Sequence, residues 1–198
     1  MLKKQMILFI EEARDHNPNG AVKLFQEERE YALKHELIKS EEINEEGGTS
    51  RFQDATIERC SKETEELLGR ESGEFLEKPL TYLKENKNEF VYLESRWFNV
   101  IGVEAVSLEM DDVFGTYDVM LGLKLQKKYC NAIEQYLDQS LQGDSSTYDL
   151  LFNGEDGLWD FNFTLNNHPD FKEDLSMIEA YEMIYRFLFQ LAESVEAK

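Results

Sequence analysis

The chain has 198 residues, 41% of them hydrophobic, with 13 Phe, 9 Tyr, 2 Trp and only three prolines, enough apolar material for one folded domain. Forty-one acids against 21 bases give a formal net charge of -20. Phosphate backbones and anionic lipid surfaces repel such a chain, so nucleic acid and membrane are excluded as expected partners, and a basic protein is favoured. Acidity alone would also serve solubility.

In chain order, Leu2, Met6, Phe9, Ile10 and Ala13 recur at helical spacing and predict a first helix. Asn17-Pro18-Asn19-Gly20 breaks it. Lys3 and Lys4 precede an apolar run that Glu11 and Glu12 cut too short for a secretion signal, so a cytoplasmic location is expected. A second helix is predicted over 21–38, then an exposed polar loop over 39–50 that carries Gly47-Gly48. A polar helix is predicted over 51–68 from Ile57, Cys60, Leu67 and Leu68. Helical signal continues over 75–84, interrupted by Pro79, and over 89–100, where Phe90, Leu93 and Trp97 share a helical face. Residues 1–100 are thus expected to be a largely helical part of a single domain.

The period then changes to two. Val106, Leu108 and Met110 alternate with Ser107, Glu109 and Asp111, and Tyr117, Val119, Leu121, Leu123 and Leu125 with polar or small neighbours. That predicts a hairpin. A helix over 126–141 follows, closed by Gly143-Asp144-Ser145-Ser146. Tyr148, Leu150 and Phe152 predict another strand, and Trp159, Phe161, Phe163 and Leu165 its partner. A helix over 175–195 ends the series. The expected class is α+β, with residues 101–198 reading ββαββα: an antiparallel sheet with helices over its apolar face.

Few motifs carry chemistry. Gly154-Glu155-Asp156-Gly157 offers two carboxylates that a divalent cation would accept, but Asp-Gly between alternating strands is hairpin chemistry and the Ca²⁺-loop spacing is absent. Asp111-Asp112 is an acidic pair at the other hairpin. Cys60 and Cys130 lie far apart with no zinc or redox spacing, and are expected to be free thiols. His16, His35 and His168 match no metal or catalytic pattern, and neither a G-x-S-x-G elbow nor a phosphate loop occurs. No cofactor or metal site is expected. The polar sides of the predicted strands converge instead. Glu109, Asp118, Asp149, Asp160 and Asn162 should share one acidic sheet face, the candidate binding site, and Met120, Gly122 and Leu151 on that face favour partial cover by the N-terminal helices.

At "REYALKHELI", "ERCSKETEELL" and "DDVFGTYDVMLGLKLQKKY" the chain resembles small acidic proteins of Gram-positive bacteria filed as branched-chain amino-acid aminotransferases, a likeness over most of its length. The resemblance implies a pyridoxal-phosphate enzyme. Such an enzyme needs a Schiff-base lysine, a phosphate cup and a carboxylate-binding arginine. Lys124, Lys127 and Lys128 follow a strand, but no glycine-rich or Ser/Thr-rich cup accompanies them. The ββαββα order also resembles small bacterial immunity proteins at the level of fold alone. The leading expectation is a non-catalytic interaction module, immunity-like or regulatory; the alternatives are the aminotransferase-related enzyme and a divalent-cation-binding protein.

Overall fold

The structure, a computed structural model, describes residues 1–16, 21–44, 50–143 and 148–196. The predicted breaker at 17–20, the Gly47-Gly48 loop and the turn residues 144–146 lie outside them.

The chain opens with helix α1 (Leu2–Asp15), a two-residue strand β1 (Val22–Lys23), helix α2 (Gln26–Lys34) and β2 (Ile43–Asn44), which pairs parallel with β1. Strands β3 (Thr56–Ser61) and β4 (Leu67–Glu71) form a hairpin. A 3₁₀ turn (Gly73–Glu77) and a single helical turn α3 (Tyr82–Glu85) lead to β5 (Glu89–Glu94) and the short helix α4 (Arg96–Val100). Then come β6 (Val103–Met110), β7 (Tyr117–Leu123), α5 (Cys130–Ser140), β8 (Tyr148–Asn153), β9 (Leu158–Thr164) and the long α6 (Met177–Glu196). The class is α+β.

Seven strands make one antiparallel sheet in the order β4-β3-β5-β6-β7-β9-β8. Two of them and the start of a third come from residues expected to be helical. The predicted helix over 51–68 holds β3 and the first two residues of β4, and the first six residues of the predicted helix over 89–100 are β5. The largely helical N-terminal part is therefore corrected: β3, β4 and β5 belong to the same sheet as the C-terminal strands.

One face of that sheet is the core. Val91, Leu93, Val106, Leu108, Val119 and Phe161 are 0% exposed there. Helix α6 packs its apolar stripe on this side. The Tyr181 hydroxyl donates to the Val91 carbonyl at 2.8 Å, and the Phe187 ring lies 5.1 Å from Phe163. The Trp159 indole N–H donates to the Leu125 carbonyl at 3.0 Å, so its one polar atom is satisfied in the core.

One charged cluster is buried beside the core. The Glu28 carboxylate on α2 is 0% exposed and accepts from Arg51 Nη1 at 2.5 Å, from the Tyr185 hydroxyl at 2.5 Å and from the Phe25 N–H at 3.1 Å. Arg51 also reaches Glu27 at 2.6 Å, and its guanidinium stacks 3.9 Å from the Tyr185 ring and 4.3 Å from that of Phe25. Burial pushes the Glu28 carboxyl above its usual range, against the pull of Arg51. The cluster ties α2 to α6 and is saturated by its own partners.

Candidate functional site

The pleat sends every second side chain of the seven strands away from α6, and the register lines these up in ranks. The middle rank runs Arg70, Glu58, Tyr92, Ser107, Met120, Asn162 and Asp149, each paired with the next across adjacent strands. The rank nearer the β6–β7 turn runs Cys60, Phe90, Glu109, Asp118 and Thr164. The third joins Thr56, Glu94 and Ala105 to Gly122, Asp160 and Leu151 across an irregularity in β6 between Val103 and Val106.

All five predicted site residues stand on this face. Glu109 and Asp118 are neighbours, and Asp149, Asp160 and Asn162 lie toward the β8 edge. Asp149, Asp160 and Asn162 are exposed, and Leu151 is 70% exposed. The expected partial cover reduces to the rim, where Gln5 of α1 borders a depression of about 780 Å³ with Asn99 and Gly102. The sequence reading missed the contribution of β3 and β5: Glu58, Glu94, Phe90 and Tyr92 extend the face and line a second depression of about 670 Å³. Phe90, Val91, Tyr92 and Leu93 are all apolar or aromatic, so no period-two signal marked β5 in the sequence.

The charges are unequally compensated. Arg70 pairs with Glu58 at 3.0 Å, and Lys62 approaches Glu109 at 3.4 Å while donating to the Met110 carbonyl. Asp118 accepts from the hydroxyls of Thr164 at 3.2 Å and Thr116 at 3.5 Å. Partial burial pushes the carboxyls of Glu109 and Asp118 above their usual range; Lys62 opposes this at Glu109, and Asp111 adds to it at both. A cation brought to this rank would lower the cost of both charges.

The other sequence candidates are accounted for locally. Gly154 to Gly157 is the β8–β9 turn: Asn153 Oδ1 accepts from the N–H groups of Glu155 at 3.0 Å and Asp156 at 3.3 Å, and Gly157 adopts φ +70°. Asp156 is held by Asn153 Nδ2 at 2.9 Å. Asp111 caps its own turn, accepting from Val113 and Phe114 N–H at 2.7 Å each. Among the described residues, no group of three or more His, Cys, Asp or Glu side chains is placed to hold a metal ion. Burial and Glu58 push the Cys60 thiol up, the reverse of an activated nucleophile. Burial likewise raises the Cys130 thiol. His35 stacks on Tyr31 at 4.2 Å, and His168 Nδ1 accepts from the Asp170 N–H at 3.2 Å.

Lys124, Lys127 and Lys128 do not fit a pyridoxal-phosphate site. Lys124, Lys127 and Lys128 are exposed on the surface, the last two directed at the rings of Phe152 and Tyr129. A Schiff-base lysine needs a sheltered amine facing a phosphate cup. Arg51, the buried arginine, is consumed by Glu27 and Glu28.

Compared with known protein families, with curated proteins and with solved structures, the chain finds no match in any of the three. Among the described residues, no helix is long and apolar enough to cross a membrane.

Proposed function

We propose that this protein is a non-catalytic interaction module, immunity-like or regulatory, that receives a basic protein partner on the face of the sheet opposite α6. The observation that carries this reading is the composition of that face. Glu58, Glu94, Glu109, Asp118, Asp149 and Asp160 stand on it, opposed by Lys62 and Arg70, with Lys124 at the rim. Between the carboxylates lie Phe90, Tyr92, Met120 and Leu151, apolar surface that a partner would remove from water. Net charge -20 extends the attraction beyond contact distance and speeds encounter with a basic surface. The same charge disfavours nucleic acid and anionic lipid.

The test is a pull-down with the full chain as bait at low and at high salt, repeated with a Glu94→Lys, Asp160→Lys variant. Both side chains are exposed, so the substitutions should leave the fold intact. A basic partner should be retained at low salt, released at high salt and lost from the variant. Retention indifferent to salt and to charge reversal, or no basic partner at all, would sink the proposal.

A further inference from the structure

The open face has a shape as well as a charge. On this face β6 carries Ala105, Ser107 and Glu109 and β7 carries Gly122, Met120 and Asp118, so the small side chains stand together at the Ala105–Gly122 end. The strands on either side carry larger ones, Tyr92 and Phe90 on β5, Asp160 and Asn162 on β9. The result is a trough at that end of β6 and β7, the depression of about 780 Å³ that Gln5 borders and Ala105, Ser107, Met120 and Gly122 floor. Gly122 is not needed for backbone conformation, because its φ lies outside the left-handed region. A Cβ placed on it would meet only Leu158 Cδ1, at 3.5 Å, an ordinary contact. What the glycine supplies is therefore room. Glycine inside a strand weakens it, and it commonly marks where another backbone or a ligand comes close.

Charge and geometry limit what can lie in the trough. A second copy of the chain would bring acidic face to acidic face. An extended segment laid over the sheet would find no ladder for its backbone N–H and C=O groups, since those are free only at the β4 and β8 edges. A helix satisfies its own backbone and packs on a sheet face at a spacing of roughly 10 Å. β6 spans eight residues, roughly 26 Å, which a helix of about 17 residues would match. The walls of the trough are acidic on both sides, Glu94 on one and Asp160 on the other, with Glu58 and Asp118 on the same face beyond it.

We infer that the occupant of this face is a basic amphipathic helix of the partner, its narrow apolar stripe seated on Ser107, Met120 and Gly122 and its lysines or arginines reaching the carboxylates of both walls. This rests on the reading that the partner is basic and adds the form in which it is recognised. Ser107 and Gly122 set how closely the helix approaches, and the paired acids set which flanks must be cationic.

Two synthetic peptides of about 17 residues and equal positive charge test it. One is a lysine, leucine and alanine amphipathic helix; the other has the same charge but carries two central prolines. Each is labelled and titrated with the full-length protein at low salt, with fluorescence anisotropy for affinity and circular dichroism for helix content. The helical peptide should bind at least ten-fold more tightly, and gain helix on binding. Filling the trough with Ser107→Phe and Gly122→Val, singly and together, should weaken it at least ten-fold while the thermal midpoint of the protein holds. Because each substitution is also made alone, a double variant that fails to fold does not remove the test. Equal, salt-sensitive binding of both peptides overturns the helix and leaves the basic-partner reading standing. Unchanged binding of the helical peptide to the filled variants overturns the seat. If neither peptide binds the unmodified protein, both inferences fail.

Discussion

Glu109 and Asp118 stand directly opposite one another across the β6–β7 ladder, two carboxylates paired where opposite charges would stabilise the sheet. Like charges so placed cost stability, and partial burial deepens the cost at each of them. Lys62, 3.4 Å from Glu109, offsets part of that cost, and a cation on a basic partner would offset more.

The pair makes a prediction about stability. Asp118→Asn keeps an oxygen for Thr164 and removes one charge. It should stabilise the protein by about 0.2–1 kcal/mol at neutral pH, raising the midpoint by up to about 4 °C. The folded-state pKa of Asp118 is raised, so ionisation costs stability as pH rises through it. The advantage of the variant should thus be complete above that pKa, fade as pH falls through it and be gone below the unfolded value. Thermal melts across pH 3 to 8 (a range that brackets the usual carboxylate values) would read it. The same variant should bind a basic partner more weakly.

The buried Glu28–Arg51 pair should behave in the opposite way. Arg51→Met leaves the carboxylate enclosed without its cation, at a cost of about 3–5 kcal/mol in urea unfolding. Adding Glu28→Gln should restore a substantial part of that loss, because the buried charge is gone. The Glu28 pKa is raised even with Arg51 present, so the single variant should recover as pH falls and the carboxyl takes up its proton. Strictly additive single and double variants would contradict a coupled cluster.

Glu196 gives a third pH signature. Burial pushes its carboxyl up, but the terminal amine of Met1, the Tyr31 hydroxyl at 2.5 Å and the Lys3 N–H at 3.1 Å outweigh this and hold it below the usual range. A depressed carboxyl contributes stability above its unfolded pKa and loses it as pH falls through the folded one. Glu196→Gln should cost about 1–2 kcal/mol at pH 7, a partly exposed site being worth less than a buried one, and almost nothing near pH 3. Paired urea titrations at the two pH values would measure the difference.

The β8–β9 turn should respond to backbone, not to charge. Gly157→Ala meets no atom within 4 Å but must hold φ +70°, so it should cost about 1 kcal/mol through conformation alone. Glu155→Ala, on an exposed turn position, should change stability by less than about 0.5 kcal/mol. A larger loss on removing the acid would reopen the turn as a site.

The strands that were legible in the sequence are those with one apolar face. Trp159, Phe161 and Phe163 alternate with Asp160 and Asn162, and β9 carries that pattern to its edges. β5 was illegible because both of its faces are partly apolar: Val91 and Leu93 point to the core, Phe90 and Tyr92 to the open face. With alternation hidden, Phe90, Leu93 and Trp97 imitate a helical stripe. β3 misleads differently. Ile57 and Cys60 are three apart, as on a helix, yet lie on opposite faces, and Arg59 takes the core-side position between them through ion pairs to Glu71 and Glu89. The ladder to β4 shifts register at that point, leaving Leu67 and Leu68 adjacent and half exposed. Of the candidate face, the half built on β6 to β9 could therefore be named from sequence, and the half built on β3 and β5 could not.

Helix α6 is the last described element, and it supplies the core's other wall. Tyr181, Ile184, Tyr185 and Leu188 are all 0% exposed, and each lies beyond residue 177. During synthesis the hairpins emerge first, so their apolar face waits in water until Met177–Glu196 has followed them out of the ribosome. Synthesis proceeds at about 5–20 residues per second, so that interval is short but exposed. A nascent chain stalled before Met177 would present the sheet's greasy side to chaperones or to its neighbours.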